Sequence, residues 1–189
     1  MITCDGLLCV TTMKNEKVLQ VKQPFLASLK YWILTIRNNG LPMKGDNVPL
    51  GDHVARNVPW SKLLKDEDDN VLGFLGEAFK MRPAERTLSA TWVEYFGGTW
   101  CQQVEQAVRA TRASSLDVKP KSAFAIGNVG AIKSACSEKS YKVRIVHEPT
   151  EDNDAHVAVR RMPHDDDDLF NLLALDAWSG LVKNLDIAP

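Results

Sequence analysis

The chain has 189 residues, 44% of them hydrophobic and 25% charged, the balance of one ordinary globular domain with room for an extension. A formal net charge of −1 excludes a protein held on nucleic acid by bulk electrostatics and argues against nucleic acid as a partner. The four cysteines (Cys4, Cys9, Cys101 and Cys136) include no C-x-x-C pair, so they offer neither a zinc motif nor a disulfide framework. They read as reduced thiols of a cytoplasmic protein. The longest apolar stretch, 25–36, is broken by Ser28, Lys30 and Thr35 and is too short to span a bilayer. The first residues lack the basic start and long apolar core of a signal peptide.

Residues 1–23 carry little periodicity and are expected as a loose arm or a short edge strand around 7–11. Pro24 suits a first helical position, where its missing N–H is not needed, and predicts a helix over 24–38 that stops at Asn39-Gly40. Its apolar residues, Phe25, Leu26, Leu29, Trp32, Ile33 and Ile36, cover more than half the circumference. Such a helix packs in the core or docks a partner protein. Pro42, Gly45 and Pro49 mark a linker, so 1–42 is expected as an N-terminal arm and helix and 43–189 as the core domain. A strand at Val54–Val58 bending at Pro59, a polar turn over 66–70 and irregular strand over 71–81 follow. The segment LSATWVEYF at 88–96 fits a strand or a short helix opened by Ser89. Thr99-x-x-Gln102 is a capping-box signature, and predicts a helix over 100–113 with Trp100, Val104, Ala107, Val108 and Thr111 on one face and a Glu105/Arg109 pair on the other.

The stretch 122–161 organises the rest: an apolar run, the turn Gly127-Asn128-Val129-Gly130, a short amphipathic segment, and two further apolar runs at 143–146 and 156–159. The pattern reads strand, helix, strand, loop, strand. Four aspartates, 165–168, then precede a helix expected over 169–185, where carboxylates complement the positive end of the macrodipole and cap free N–H groups. The expected fold is a single α+β domain, with a small mixed sheet covered by the helices at 100–113 and 169–185.

Candidate chemistry gathers on the histidines. If 143–147 pairs antiparallel with 156–160 in the simplest register, His147 opposes His156 and both imidazoles share a face with Arg160, below a loop rich in carboxylates. A one-residue slip separates them. His147, His156 and His53 are therefore the candidate catalytic acid–base residues. Arg56, Ser61 and Lys62 form a short polar cluster suited to clamping a phosphate or carboxylate. Asn128 and Arg160 complete the expected ligand-binding set. The Gly127–Gly130 turn lacks the lysine and third glycine of phosphate-binding fingerprints, so it is a tight strand-to-helix turn with Asn128 as cap or a weak anion site. The five tryptophans do not interleave with basic residues along the chain, which indicates no base-stacking surface.

Asp52-His-Val-Ala-Arg and Ala155-His-Val-Ala-Val echo one another and resemble the duplicated motifs of the two-histidine phosphoesterases. In that family a Ser or Thr stands two residues after each His; here Ala55 and Ala158 stand there, and the phosphate hydrogen bonds those hydroxyls imply are missing. HVARNVPWSKL and LSATWVEYF are similar to segments of an uncharacterised group of small bacterial proteins, across about Val48 to Leu175, which implies a bacterial source and no activity. Two function classes follow. One is a small enzyme or ligand-binding protein acting on an anionic, nucleotide-like molecule through a His/Arg/Lys pocket. The other is a non-catalytic component of a multi-protein bacterial system, such as a defence or toxin–antitoxin locus, which meets a protein partner through the 24–38 helix. No cofactor or metal is assigned.

Overall fold

Short apolar runs buried on both faces build most of the main sheet. In His53–Val58 (β1), Val54 and Val58 are buried on one face while Ala55 is buried on the other. A single 3₁₀ turn follows Pro59 at Trp60–Lys62, and a two-stranded hairpin, Leu63–Lys65 (β2) with Val71–Phe74 (β3), closes around the polar turn. Asp66 organises that turn by accepting the N–H groups of Asp68 and Asn70. Next come Thr87–Trp92 (β4), the helix Trp100–Ala113 (α1), Ala123–Asn128 (β5), Val129–Glu138 (α2), Arg144–His147 (β6), His156–Arg160 (β7), Asp167–Leu172 (α3) and Gly180–Lys183 (β8). This computed structural model describes residues 42–188. The expected arm, edge strand and 24–38 helix, and with them the proposed partner surface, lie outside the described residues.

The fold is α+β. Its main sheet has six strands in the order β6-β7-β4-β1-β5-β8, and every neighbouring pair is antiparallel. The expectation of a mixed sheet came from the strand–helix–strand pattern over 122–146. β5 and β6 do run the same way, but β1, β4 and β7 stand between them. α2 therefore carries the chain across the sheet rather than to a neighbouring strand.

Helices cover both faces. α2, α3 and the 3₁₀ turn Gly76–Phe79 lie on one, where Ile132, Phe170, Phe79 and Trp178 pack on Val54, Leu88, Ala125, Ile145 and Val159. α1 lies on the other, with Val104, Ala107 and Val108 over Ala55, Phe124 and Ile126. Full burial of each large apolar side chain contributes about 1.5–3 kcal/mol. The capping box forms in both directions, Thr99 N–H donating to Gln102 Oε1 and Gln102 N–H to Thr99 Oγ1. Trp100 departs from the expected buried face: at the first turn it is 47% exposed.

The C-terminal helix is shorter than its periodicity predicts. α3 passes into a wide π turn at Leu173–Ala177, and the chain then returns as β8 on the edge of β5. Leu181 and Val182 fit a helical repeat and a strand equally well. Gly180 permits the strand pairing, since its backbone approaches Ile126 so closely that a Cβ there would sit 2.8 Å from the Ile126 Cβ. Asp166 caps α3 through the N–H of Leu169, and Lys80 pairs with Asp165 at 2.7 Å, so the aspartate run has structural partners. The expected linker is pinned in part: Gly45 and Val48 donate to the carbonyls of His147 and Ile145, and Asn47 bridges to Val146 at the β6 edge.

Register sets two sheet ends with different chemistry. At one end His53 faces Asn128, Trp92 faces Val54, and β6 finishes at His147 where β7 begins at His156. At the other, Val58 faces Ala123 and Ala123 faces Lys183. β5, six residues long, joins the two ends over roughly 17 Å.

Candidate functional site at the two ends of the sheet

His53, His147, His156 and Asn128 all lie at the first end, but not around one point. The register pairs His147 with Val157, not with His156. That one-residue shift puts the two histidines on opposite faces and corrects the expected imidazole pair. His147 turns inward and is 3% exposed, against Trp92 and Tyr95 with ring centroids 5.9 and 5.5 Å away. Its Nε2 lies 2.7 Å from the carbonyl of Asp154 and its Nδ1 3.2 Å from that of Met43. Both ring nitrogens are thus occupied by backbone. His156 shares a face with Arg160, as expected, and its Nδ1 lies 2.7 Å from the Glu148 carbonyl, while Arg160 donates to the Glu148 carboxylate at 2.6 Å. Asn128 caps α2 by accepting the Ala131 N–H and donates to the carbonyls of Gly51 and Asp52. Gly127 beside it admits the Trp178 ring, which a Cβ would approach to 2.6 Å, so close packing accounts for that glycine.

Arg56 and Lys62 do not join the histidines. Arg56, three residues along β1 from His53, faces the other side of the sheet. It donates Nε–H to the Ala78 carbonyl (3.0 Å) and Nη1–H to the Ser89 carbonyl (2.7 Å) where β1 and β4 have parted. These bonds tie a split in the sheet. Burial pushes its guanidinium down to about 10. Lys62 donates to the Glu77 carbonyl at 2.8 Å, and its pKa is lowered by burial and then by the charge of Arg56. Ser61 is exposed on the 3₁₀ turn. The expected anion clamp is, in its geometry, a set of backbone ties.

His53 is held differently. Glu94 reaches back to it from just past β4: one carboxylate oxygen accepts the His53 backbone N–H and the other accepts Nδ1–H, both at 2.7 Å. Since a carboxylate only accepts, the Nδ1–H tautomer is selected, and Nε2 presents its lone pair away from Glu94. The edge of the Trp100 ring packs on the imidazole at 4.8 Å. Asp52 precedes it, its carboxyl raised by burial, lowered by the Trp92 Nε1–H donated at 2.9 Å, and raised again by the charge of Glu94.

No family model, no curated protein and no solved structure matches this chain. What the molecule can do follows from its own side chains. Among the described residues, no group of three or more His, Cys, Asp or Glu could hold a metal ion, and no helix is long and apolar enough to cross a membrane.

The second end carries a groove that sequence reasoning missed. Trp60, Lys121, Ser122, Lys183 and Leu185, with Asp69 as the one carboxylate, line a groove of about 250 Å³. Lys65 and Lys121 place their ammonium groups 4.3 and 5.4 Å from the Trp60 ring centroid. Lys121 and Lys183 form no ion pair among the described residues. Tryptophan and lysine that are not interleaved along the chain are thus interleaved in space. The C-terminal wall of the groove is set by Arg112, which bonds the Asn184 side chain and the carbonyls of Asn184, Ile187 and Ala188. Asn184 in turn donates to the Lys119 carbonyl and, through its backbone, to that of Ser122. Glu94 and Trp100 were missed as site residues because each has an adequate local role, one in an ambiguous strand and the other at a helix start.

Proposed function

We propose that this protein binds an anionic, nucleotide-like small molecule, and that the groove around Trp60 is where it does so. The observation that carries this reading is a groove in which Lys121 lies over the Trp60 indole and Lys183 lines the wall, both without a carboxylate partner among the described residues. A phosphate gains a charge partner there without displacing one, and a base gains a stacking surface. Lys65 adds a third cation, tempered by Asp69 at 3.9 Å. The histidine end, lined by Asp52 and Glu94, repels such a ligand. At about 250 Å³ the groove lies just below the about 300–1,000 Å³ of ordinary ligand pockets, so part of a nucleotide stays in water. Affinity on the order of micromolar or weaker is expected.

Isothermal titration and thermal shift with a nucleoside triphosphate, the corresponding neutral nucleoside and inorganic phosphate test the reading. The triphosphate should raise Tm and the nucleoside should not. The double substitution K121A/K183A should weaken triphosphate binding about tenfold, at up to about 1 kcal/mol per exposed charge contact. Binding should also weaken with added salt. A double variant that binds as well as the parent, or a chain that responds to none of the three, overturns the proposal.

A further inference from the structure

We propose that His53, oriented by Glu94, is a general base for a neutral or cationic substrate bound against Trp100, in a second site independent of the lysine groove. Three observations meet at this point. The first is the two-pronged grip of Glu94. Taking both the backbone N–H and the Nδ1–H of one residue fixes the imidazole in position, tautomer and rotation together. Packing and capping require neither bond, since Val93 N–H already ties the strands by donating to the His53 carbonyl at 3.0 Å. A carboxylate behind Nδ1 also stabilises the positive charge that an imidazolium acquires when Nε2 takes a proton.

The second observation is accessibility, which separates His53 from the other two histidines of the sheet. Its side chain is 32% exposed and its Nε2 has no protein partner among the described residues, whereas His147 is buried with both nitrogens on carbonyls. The third is the surroundings. Trp100, 47% exposed at the start of α1, gives an apolar wall in edge contact with the imidazole. Asp52, one residue away, turns to the opposite face, where it accepts the Trp92 Nε1–H, so Glu94 and Trp100 are the side chains set against the imidazole. The Glu94 carboxylate on the base disfavours a phosphate or carboxylate and favours a neutral or cationic molecule with an apolar part.

The elementary step is proton removal. Nε2 takes a proton from water, the hydroxide oxygen adds to an acyl carbon, the bond to the leaving oxygen breaks, and the proton passes from the imidazolium to solvent or to the leaving group. Ester and water become acid and alcohol, with no other reactant. Glu94 is a positioning residue in this scheme, because it acts through His53.

Hydrolysis of p-nitrophenyl acetate (a neutral ester) by the full chain tests this, compared with the half-ester p-nitrophenyl succinate, which carries a carboxylate. Wild type should prefer the neutral ester. H53A should lose about a hundredfold of the enzyme-dependent rate, the lower bound usual for a general base, and added imidazole should restore part of it. E94Q should lower kcat with KM kept, while H147Q and H156Q should match wild type wherever their melting curves do. The inference is overturned if H53A hydrolyses the ester as fast as the parent, if imidazole restores nothing, or if the anionic ester is preferred. Since no lysine of the groove is touched, loss of nucleotide binding in K121A/K183A with ester hydrolysis intact separates the two sites.

Discussion

The two ends of the sheet use the same strands to opposite effect. β1 starts at His53 and ends just before Trp60; β5 starts beside Lys121 and ends at Asn128. At the histidine end nearly every polar group is engaged: Glu94 with His53, Asp52 with Trp92, Asn128 with two carbonyls, and Arg160 with Glu148. At the lysine end Lys121 and Lys183 have no carboxylate partner among the described residues. An end that satisfies its own polar groups can hold one group in a chosen orientation. An end with unpaired charge can take up a ligand that pairs it.

That contrast can be broken from either side. The largest effect is expected from R112A. It removes a guanidinium that satisfies four acceptors of the C-terminal segment, and should cost about 2–4 kcal/mol in urea unfolding. Because Asn184 then loses its anchor, nucleotide binding should fall with it while His53 chemistry persists. G127A comes next and strikes the other end. Its Cβ would meet the Trp178 ring at 2.6 Å, and the overpacking should cost about 1–3 kcal/mol. It should disturb the Asn128 cap and the His53 region and spare the groove, a difference that amide exchange in β5 can read residue by residue.

A smaller effect concerns pH. The Asp152 carboxyl is held down to about 2, first by the Thr150 hydroxyl and then by the Ser115 backbone N–H. Its folded value lies below the unfolded value of about 3.9, so its stabilising contribution is present above about pH 4 and is lost as pH falls towards 2. Thermal melts between about pH 2 and 5 should fall less steeply for D152N than for the parent. The smallest perturbation is chemical. Diethyl pyrocarbonate under native conditions should modify His53 at Nε2 well before the buried His147, as peptide mass mapping would show; a faster His147 would contradict the geometry of both residues.

Local signals were legible along the chain. Thr99 and Gln102 announce α1 because a capping box closes within four residues. Asn128 caps α2, and β5, β6 and β7 are visible as short apolar runs. The α+β class followed from these. The length of the last helix did not, since Leu181 and Val182 satisfy both periods, and only the free edge of β5 favoured a strand.

The site residues divide in the same way. Residue types alone identified His53 as a candidate base and Asn128 as a cap, because each needs only its own chemistry and a nearby backbone. Tertiary structure decided the rest. His147 and His156 part company through a single step of ladder register, and a period of two residues turns one step into opposite faces. Glu94 reaches His53 across 41 positions, and Lys121 reaches Trp60 across 61. Spacings of that size follow no local periodicity. They are set by which strands pair and in what register, through the burial of both faces of the sheet.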